Sequence, residues 1–274
     1  MKARLLLLIV ALAFASPMRA QDEDTLCQAR LMVMYELTYR EDTNHMDHAK
    51  KERMMLLIGD EISRFQSYNY YRADKKMKEK WRQGIVEKVI YVKQEDISRY
   101  TYRVFKNHPT GKVTMIEHVL MTGTFLYEEN YPCMNWEYTE DTATINGYFT
   151  QKAVCDYGGR TWEAWFAPEL PYNDGPYMFC GLPGLIVKIA DTQDHYRFEM
   201  VSAEIPEDMF IEWENLDYVR TIKKAFFKVY DDFLANIVEN AAPYIQSANG
   251  TDDTSKKLYY YGVTKNNPIE LDRK

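Results

Sequence analysis

Alternation of apolar and polar positions sets the rhythm of this chain. From Leu31 to Tyr39 the run LMVMYELTY puts an apolar side chain at every second position, the period of a strand with one buried face. Met54 to Ile58 reads as a second strand, closed by Gly59-Asp60 and continued by Ile62 to Phe65. Seven short runs of the same kind follow at 85–93, 99–106, 112–120, 122–128, 134–139, 144–154 and 160–167, and two further runs fit 185–190 and 195–203. The break at Asp141-Thr-Ala-Thr144 predicts a hairpin, and Gly158-Gly159 predicts another. Strands in succession without intervening helices imply an antiparallel meander rather than a βαβ sheet.

Two stretches leave that rhythm. Residues 68–83 are charged and free of Gly and Pro, which predicts an exposed helix or long loop ended by Gly84. Val219, Ile222, Phe226, Val229 or Tyr230, Phe233 and Ile237 recur every three to four residues. This predicts an amphipathic helix of about six turns, starting near Asn215 or Asp217 and stopped at Pro243. Residues 246–256 read as a polar linker, and Leu258 to Tyr261 as a short edge strand. The expected fold is mainly β (α+β), a single curved antiparallel meander sheet or half-barrel of 9 to 11 strands. The C-terminal amphipathic helix is expected to pack on its concave or open side.

The first twenty residues fall outside this pattern. Lys2 and Arg4 precede the apolar run Leu5 to Ala15, and Ala20 offers a small residue for cleavage, the layout of a secretory signal peptide. The run falls short of the about twenty residues that a membrane span needs. The expectation is a signal peptide at 1–20 and one domain over 21–274, with 257–274 a terminal segment, periplasmic or secreted. Cleavage removes three cations and no acid, taking the formal net charge from −7 to −10. So acidic a chain repels polyphosphate, which argues against nucleic acid as a partner. No later stretch approaches eighteen apolar residues, so the mature chain is not expected to span a membrane.

Export places Cys27, Cys133, Cys155 and Cys180 where disulfides are permitted. Four cysteines allow three full connectivities, and spacing does not choose among them. Cys133 and Cys155 flank the expected hairpin and form the preferred pair. No C-x-x-C occurs, and neither a metal nor a cofactor is expected. His45, His48 and Glu52 would share a face if helical, but they sit in a polar stretch that reads as a solvated loop.

The aromatic surplus is the main functional cue, with 22 Tyr, 12 Phe and 5 Trp against 12 Gly. Trp136, Tyr148, Trp162, Trp165, Tyr177 and Phe179 gather in one supersecondary region. They read either as the core of a curved sheet or as the lining of a concave face for an apolar or sugar-like ligand. No nucleophile motif is present. Glu163 is the best functional carboxylate, and with Asp174 or Asp191 it would make a hydrolase if two of them converge within about 10 Å. Arg160 reads as a buried Arg paired elsewhere in the fold.

The densest region, 171–191, holds Gly175 and Pro176 and then Gly181, Leu182, Pro183, Gly184, Leu185 and Ile186, a rigid loop delivering a strand. This GLPGLI string resembles the signature of the GLPGLI family of exported Bacteroidota proteins. The resemblance extends to Trp136-Glu-Tyr138, Ile145-Asn-Gly-Tyr148, Lys152-Ala153, Gly159-Arg160, Trp162-Glu-Ala-Trp-Phe166, Glu169-Leu-Pro171 and Gly175-Pro-Tyr-Met-Phe179. It extends also to Met55-Leu-Leu-Ile-Gly59 and Asn267-Pro-Ile-Glu-Leu271. Many members carry a Cys shortly after the Gly-Tyr pair, where this chain has Thr150. The resemblance brings no established activity with it. The expected function is a non-enzymatic cell-envelope binding or accessory protein, for an apolar or amphipathic ligand or an outer-membrane protein. The alternatives are the carboxylate-dependent hydrolase and a purely structural role.

Overall fold

A computed structural model describes residues 23–85, 98–120, 122–131, 134–240, 242, 259 and 262–273. These residues are mainly β, with β1 (Glu23–Gln28), β2 (Leu31–Tyr39), β3 (Lys50–Ile58), β4 (Ser63–Ser67), α1 (Tyr68–Arg82), β5 (Arg103–Lys106), β6 (Lys112–Val119) and β7 (Gly123–Asn130). β8 (Glu137–Ile145), β9 (Tyr148–Tyr157), β10 (Arg160–Ala167), β11 (Leu185–Asp191), β12 (Tyr196–Glu204), β13 (Phe210–Glu214), β14 (Tyr218–Arg220) and α2 (Lys223–Ala235) complete the order.

Two antiparallel meanders, β2 to β7 and β8 to β12, join where β12 pairs with β2 and Tyr196 faces Tyr39. β14 adds to β7 in parallel, so the large sheet is mixed, has twelve strands, and stays open at β8 and β14. β1 and β13 form a separate two-stranded ribbon. The expectation of 9 to 11 strands in one antiparallel sheet is thereby corrected. β13 and β14 are five and three residues long, too short for a period-2 signal to register. Because β14 takes Tyr218 to Arg220, α2 begins only at Lys223.

The hairpin also moves. The chain runs through Asp141 to Thr144 as strand and turns at Asn146-Gly147, both at positive φ, as a tight hairpin turn requires. The polar break marks a register shift between Tyr138 and Thr142 instead. The expected leader at 1–20, most of the 85–93 run, Pro243 and the 246–256 linker lie outside the described residues. So does the 258–261 segment, apart from Tyr259, which is helical.

The sheet is covered on both faces. Val33, Tyr35, Leu37, Leu56, Val104, Trp162 and Phe198 look toward one side, under Phe226, Phe227 and Phe233 of α2. Met34, Met55, Leu57, Phe105 and Ile116 look toward the other, under Ile211 of the ribbon with Tyr68 and Tyr71 of α1 packed against them. On that outer face Glu214 accepts from Arg103 at 2.9 Å and from Lys78 at 3.0 Å, and Lys78 also meets Asp74 and Glu23 at 2.5 Å. Glu23, Asp74 and Glu214 lie close enough to hold a cation. The Lys78 ammonium already pairs with all three.

Candidate functional site

The site is assembled from the GLPGLI loop, the C-terminal segment and three strands. In the loop, Gly184 is required by space, since a Cβ there would stand 2.3 Å from the Ala167 carbonyl oxygen. Gly175 is required in the same way, 2.7 Å from Ile186 Cδ1. Leu182, Leu185 and Ile186 are fully buried, and the Lys106 ammonium, itself buried, holds Asp174 at 2.5 Å. The loop thus fills the inner face of the sheet and is part of the core.

Arg160 fixes the C-terminal segment. Its guanidinium donates to Asp191 at 2.9 Å, to the Asn267 side chain at 2.7 Å, and to the carbonyls of Pro268 at 2.7 Å and Ile269 at 3.0 Å. Beyond it Glu270 is buried, accepts from the Tyr177 hydroxyl and pairs with Lys223 at 2.6 Å. Leu271 and Asp272 donate backbone N–H to Gly158 at 2.6 and 3.1 Å. Residues 267–272 therefore roof the inner face.

Beneath this roof lies a cavity of about 70 Å³, room for roughly five waters. Six tyrosines line it: Tyr100, Tyr102, Tyr127, Tyr177, Tyr196 and Tyr230. Tyr196 donates to the Asn267 carbonyl at 2.7 Å, but the hydroxyls of Tyr102 and Tyr127, both buried, have no partner, and neither has the hydroxyl of half-buried Tyr100. Burial and neighbouring carboxylates hold both phenols well above their ordinary range, so they keep their protons.

Glu117 opens onto the same cavity. It continues the apolar face of β6 after Val113 and Met115, and it sits two residues along from Met115, whose cross-strand partner is Tyr127. Thr101 donates to it at 3.4 Å, and no cation reaches it within 4.0 Å among the described residues. Burial pushes its carboxyl up to about 7, against the pull of Lys265 and Thr101. Around the rim Arg99 pairs with Glu41, Lys265 donates to the Tyr230 hydroxyl at 2.8 Å, and Arg273 pairs with Asp231. The arrangement can hold a small polar group in an aromatic shell, with an acid that exchanges its proton near neutrality.

Of the six aromatic candidates, Tyr177 borders this cavity. Trp162 and Phe179 are core, with ring centroids 4.6 Å apart. Trp136 is half-buried and donates to the Cys180 carbonyl at 2.8 Å, and Tyr148 is half-buried just beyond the β8–β9 turn. Trp165 is half-buried on the face opposite to Trp162, under the Lys152 ammonium at 5.6 Å. The six do not form one surface. The carboxyls of the hydrolase reading separate too: Asp174 belongs to Lys106 and Asp191 to Arg160, while Glu163 points to the opposite face from Trp162 and Asp191. His45 pairs with Asp42 at 2.7 Å and His48 with Asp47 at 3.5 Å, whereas Glu52 accepts from Ser98 and from the Arg99 N–H at 3.1 Å. Cys155 is a buried free thiol that burial pushes up to about 12, and Cys133 lies outside the described residues. Sequence reasoning missed Glu117, whose signal was one acid on an otherwise apolar strand face.

Residues 157–188 match the family described as "Protein of unknown function (Porph_ging)", a stretch that runs from the end of β9 through β10 and the loop into β11. No curated protein sequence matches the chain. Two solved structures, titled "Structure of PNGF-II in C2 space group" and "Structure of PNGF-II in P21 space group", are similar to it with a TM-score of 0.50 each. Their identities are 12% and 11%, over 74% and 73% of this chain and 32% of those chains. That likeness concerns the fold alone, and the chain spans about a third of the length of the structures it matches. No helix among the described residues is long and apolar enough to cross a membrane.

Proposed function

We propose that this is an exported binding protein of the GLPGLI type, whose ligand site is the tyrosine-walled cavity beneath the C-terminal segment. One observation carries the reading: three tyrosines whose hydroxyls have no partner, Tyr100, Tyr102 and Tyr127, line the same cavity as Glu117, a half-buried carboxyl without a cation. A buried polar group left unpaired costs about 1–3 kcal/mol, and Phe would fill the same space without that cost. Three unpaired hydroxyls and a carboxyl without a cation on one cavity point to a guest that satisfies them. A cavity also favours a small ligand over an outer-membrane protein, which would need an exposed surface. Support for export is the leader pattern at 1–20, and support for the family is the GLPGLI string together with the match at 157–188.

Native mass spectrometry of the full chain, purified from the exported fraction of its own host, tests this. The wild type is expected to carry a small molecule that is released on unfolding, and the double variant Tyr102→Phe/Tyr127→Phe is expected to lose it. An adduct retained by the variant, or none on the wild type, overturns the reading.

A further inference from the structure

Cations along this wall are already matched to aromatic faces. Arg160 lies over Tyr196 at 5.1 Å, Lys223 over Tyr157 at 4.7 Å, Lys265 over Tyr230 at 5.6 Å and Arg273 over Phe227 at 4.7 Å. Deeper in, Tyr102 and Tyr177 meet with centroids 5.4 Å apart, and Tyr127 meets Phe226 at the same distance. These inner rings carry no cation among the described residues, although they surround the one carboxyl of the wall that lacks an ion-pair partner.

The charges facing Glu117 do not fill that vacancy. Arg99 is held by Glu41 and Arg273 by Asp231 at the rim, and Lys265 donates to Tyr230. Arg103 is committed to Glu214 on the opposite face of the sheet, and Glu52 accepts from Ser98 and Arg99. What remains inward is one carboxyl and the phenol oxygens of Tyr100, Tyr102 and Tyr127, on residues that line a space of about 70 Å³.

We propose that the cavity takes the ammonium head of a small protonated amine, seated between the Glu117 carboxylate and the hydroxyl oxygens of Tyr102 and Tyr127. The proposal rests on the binding reading above and names its ligand class. An ammonium brings three N–H donors to these acceptors and the charge that Glu117 lacks. An alcohol brings one donor and no charge.

The test titrates the full mature chain with n-butylammonium chloride and with its neutral isostere n-butanol, at pH 5 and pH 8, following tyrosine ring resonances by NMR. Butylammonium remains charged at both values, so its affinity follows ionisation of Glu117. With the free carboxyl at about 7 and an ordinary value in the complex, Kd is expected to tighten roughly 70-fold from pH 5 to pH 8. Butanol is expected to bind more weakly and without that dependence. Glu117→Gln, with its fold checked by Tm, is expected to lose both the preference for the amine and the pH dependence. Tyr127→Phe is expected to weaken the amine about tenfold and serves should the first variant fail to fold. The ligand class is overturned if butanol matches butylammonium, if the amine's Kd is flat with pH, or if Glu117→Gln binds the amine unchanged. Butanol alone shifting the Tyr102 and Tyr127 rings rejects the amine and leaves the cavity reading standing. If neither probe shifts them, both fall.

Discussion

Arg160→Ala asks whether the C-terminal segment is an integral part of the fold. The Arg160 and Asp191 side chains are each about 2% exposed, and the guanidinium joins β10 to β11 and to three successive residues, Asn267, Pro268 and Ile269. Truncation leaves the Asp191 carboxylate buried without its cation, a loss of about 3–5 kcal/mol for a broken buried pair. The freed carbonyls of Pro268 and Ile269 add to this unless the segment lifts into water. The expected result is therefore a destabilisation of about 4 kcal/mol in urea unfolding followed by tryptophan fluorescence. Earlier tryptic cleavage after Lys265 and Arg273 is expected alongside it. Removing both partners leaves no orphan charge, so Arg160→Ala/Asp191→Ala should cost less than the two single losses combined, a coupling of about 1–3 kcal/mol. A single variant within 1 kcal/mol of wild type, with the segment still protected from trypsin, would refute the reasoning.

Other outcomes follow from the same geometry. Glu117 has its folded-state value raised to about 7, so the native chain holds that proton more tightly than the unfolded chain does. Glu117→Gln should match wild type near pH 4 and become more stable by about 3 kcal/mol above pH 8, measured by urea midpoints across pH; a difference that does not vary with pH contradicts the burial of that carboxyl. Tyr102→Phe and Tyr127→Phe should each raise stability by about 1 kcal/mol in the ligand-free chain, since each deletes an unpaired buried hydroxyl; a lower Tm would show that the hydroxyls have structural partners. Gly184→Ala should cost more than about 3 kcal/mol, because its Cβ meets the Ala167 backbone. Gly147→Ala, in open space at positive φ, should cost about 1 kcal/mol, and equal losses for the two in thermal unfolding would dismiss the steric account of the motif. Cys155 should stay unmodified by a thiol reagent until the chain unfolds, and rapid native labelling would show that its buried strand opens.

The strands that the sequence announced are those with apolar side chains at most inward positions, whatever lies on the other face. The ends of β2 and β10 match the runs at 31–39 and 160–167, although Met34 of β2 is buried on the outer face and the register of β10 shifts between Trp165 and Phe166. What escaped was structure held by partners remote in sequence. β1 is an acidic stretch whose register comes from β13, some two hundred residues away, and β14 exists because Tyr218 to Arg220 find the edge of β7 in parallel. A local pattern has no term for such pairings. The misplaced hairpin has a different cause. The Asp141 break and the Asn146-Gly147 pair both carry turn residues, and only the second has the dipeptide that accepts positive φ twice in succession.

The candidate site was less legible than the fold because aromatic content does not distinguish packing from binding. Trp162 and Phe179 stood out in the sequence by size, yet size is what made them core. Glu117 stood out by nothing except parity. It occupies an inward position on β6, where Val113, Met115 and Val119 are all buried. A charge at such a place is costly unless paired, so its presence there calls for a partner. Among the described residues the other inward charges are met, Arg160 by Asp191, Lys106 by Asp174 and Glu270 by Lys223, while Glu52 accepts from Ser98 and from the Arg99 N–H. Parity read together with a census of partners singles out Glu117, and the census requires the three-dimensional structure because each of those partners comes from a distant element. A candidate site of this kind is thus written in the sequence as one polarity error, and it becomes readable once every comparable exception has been accounted for.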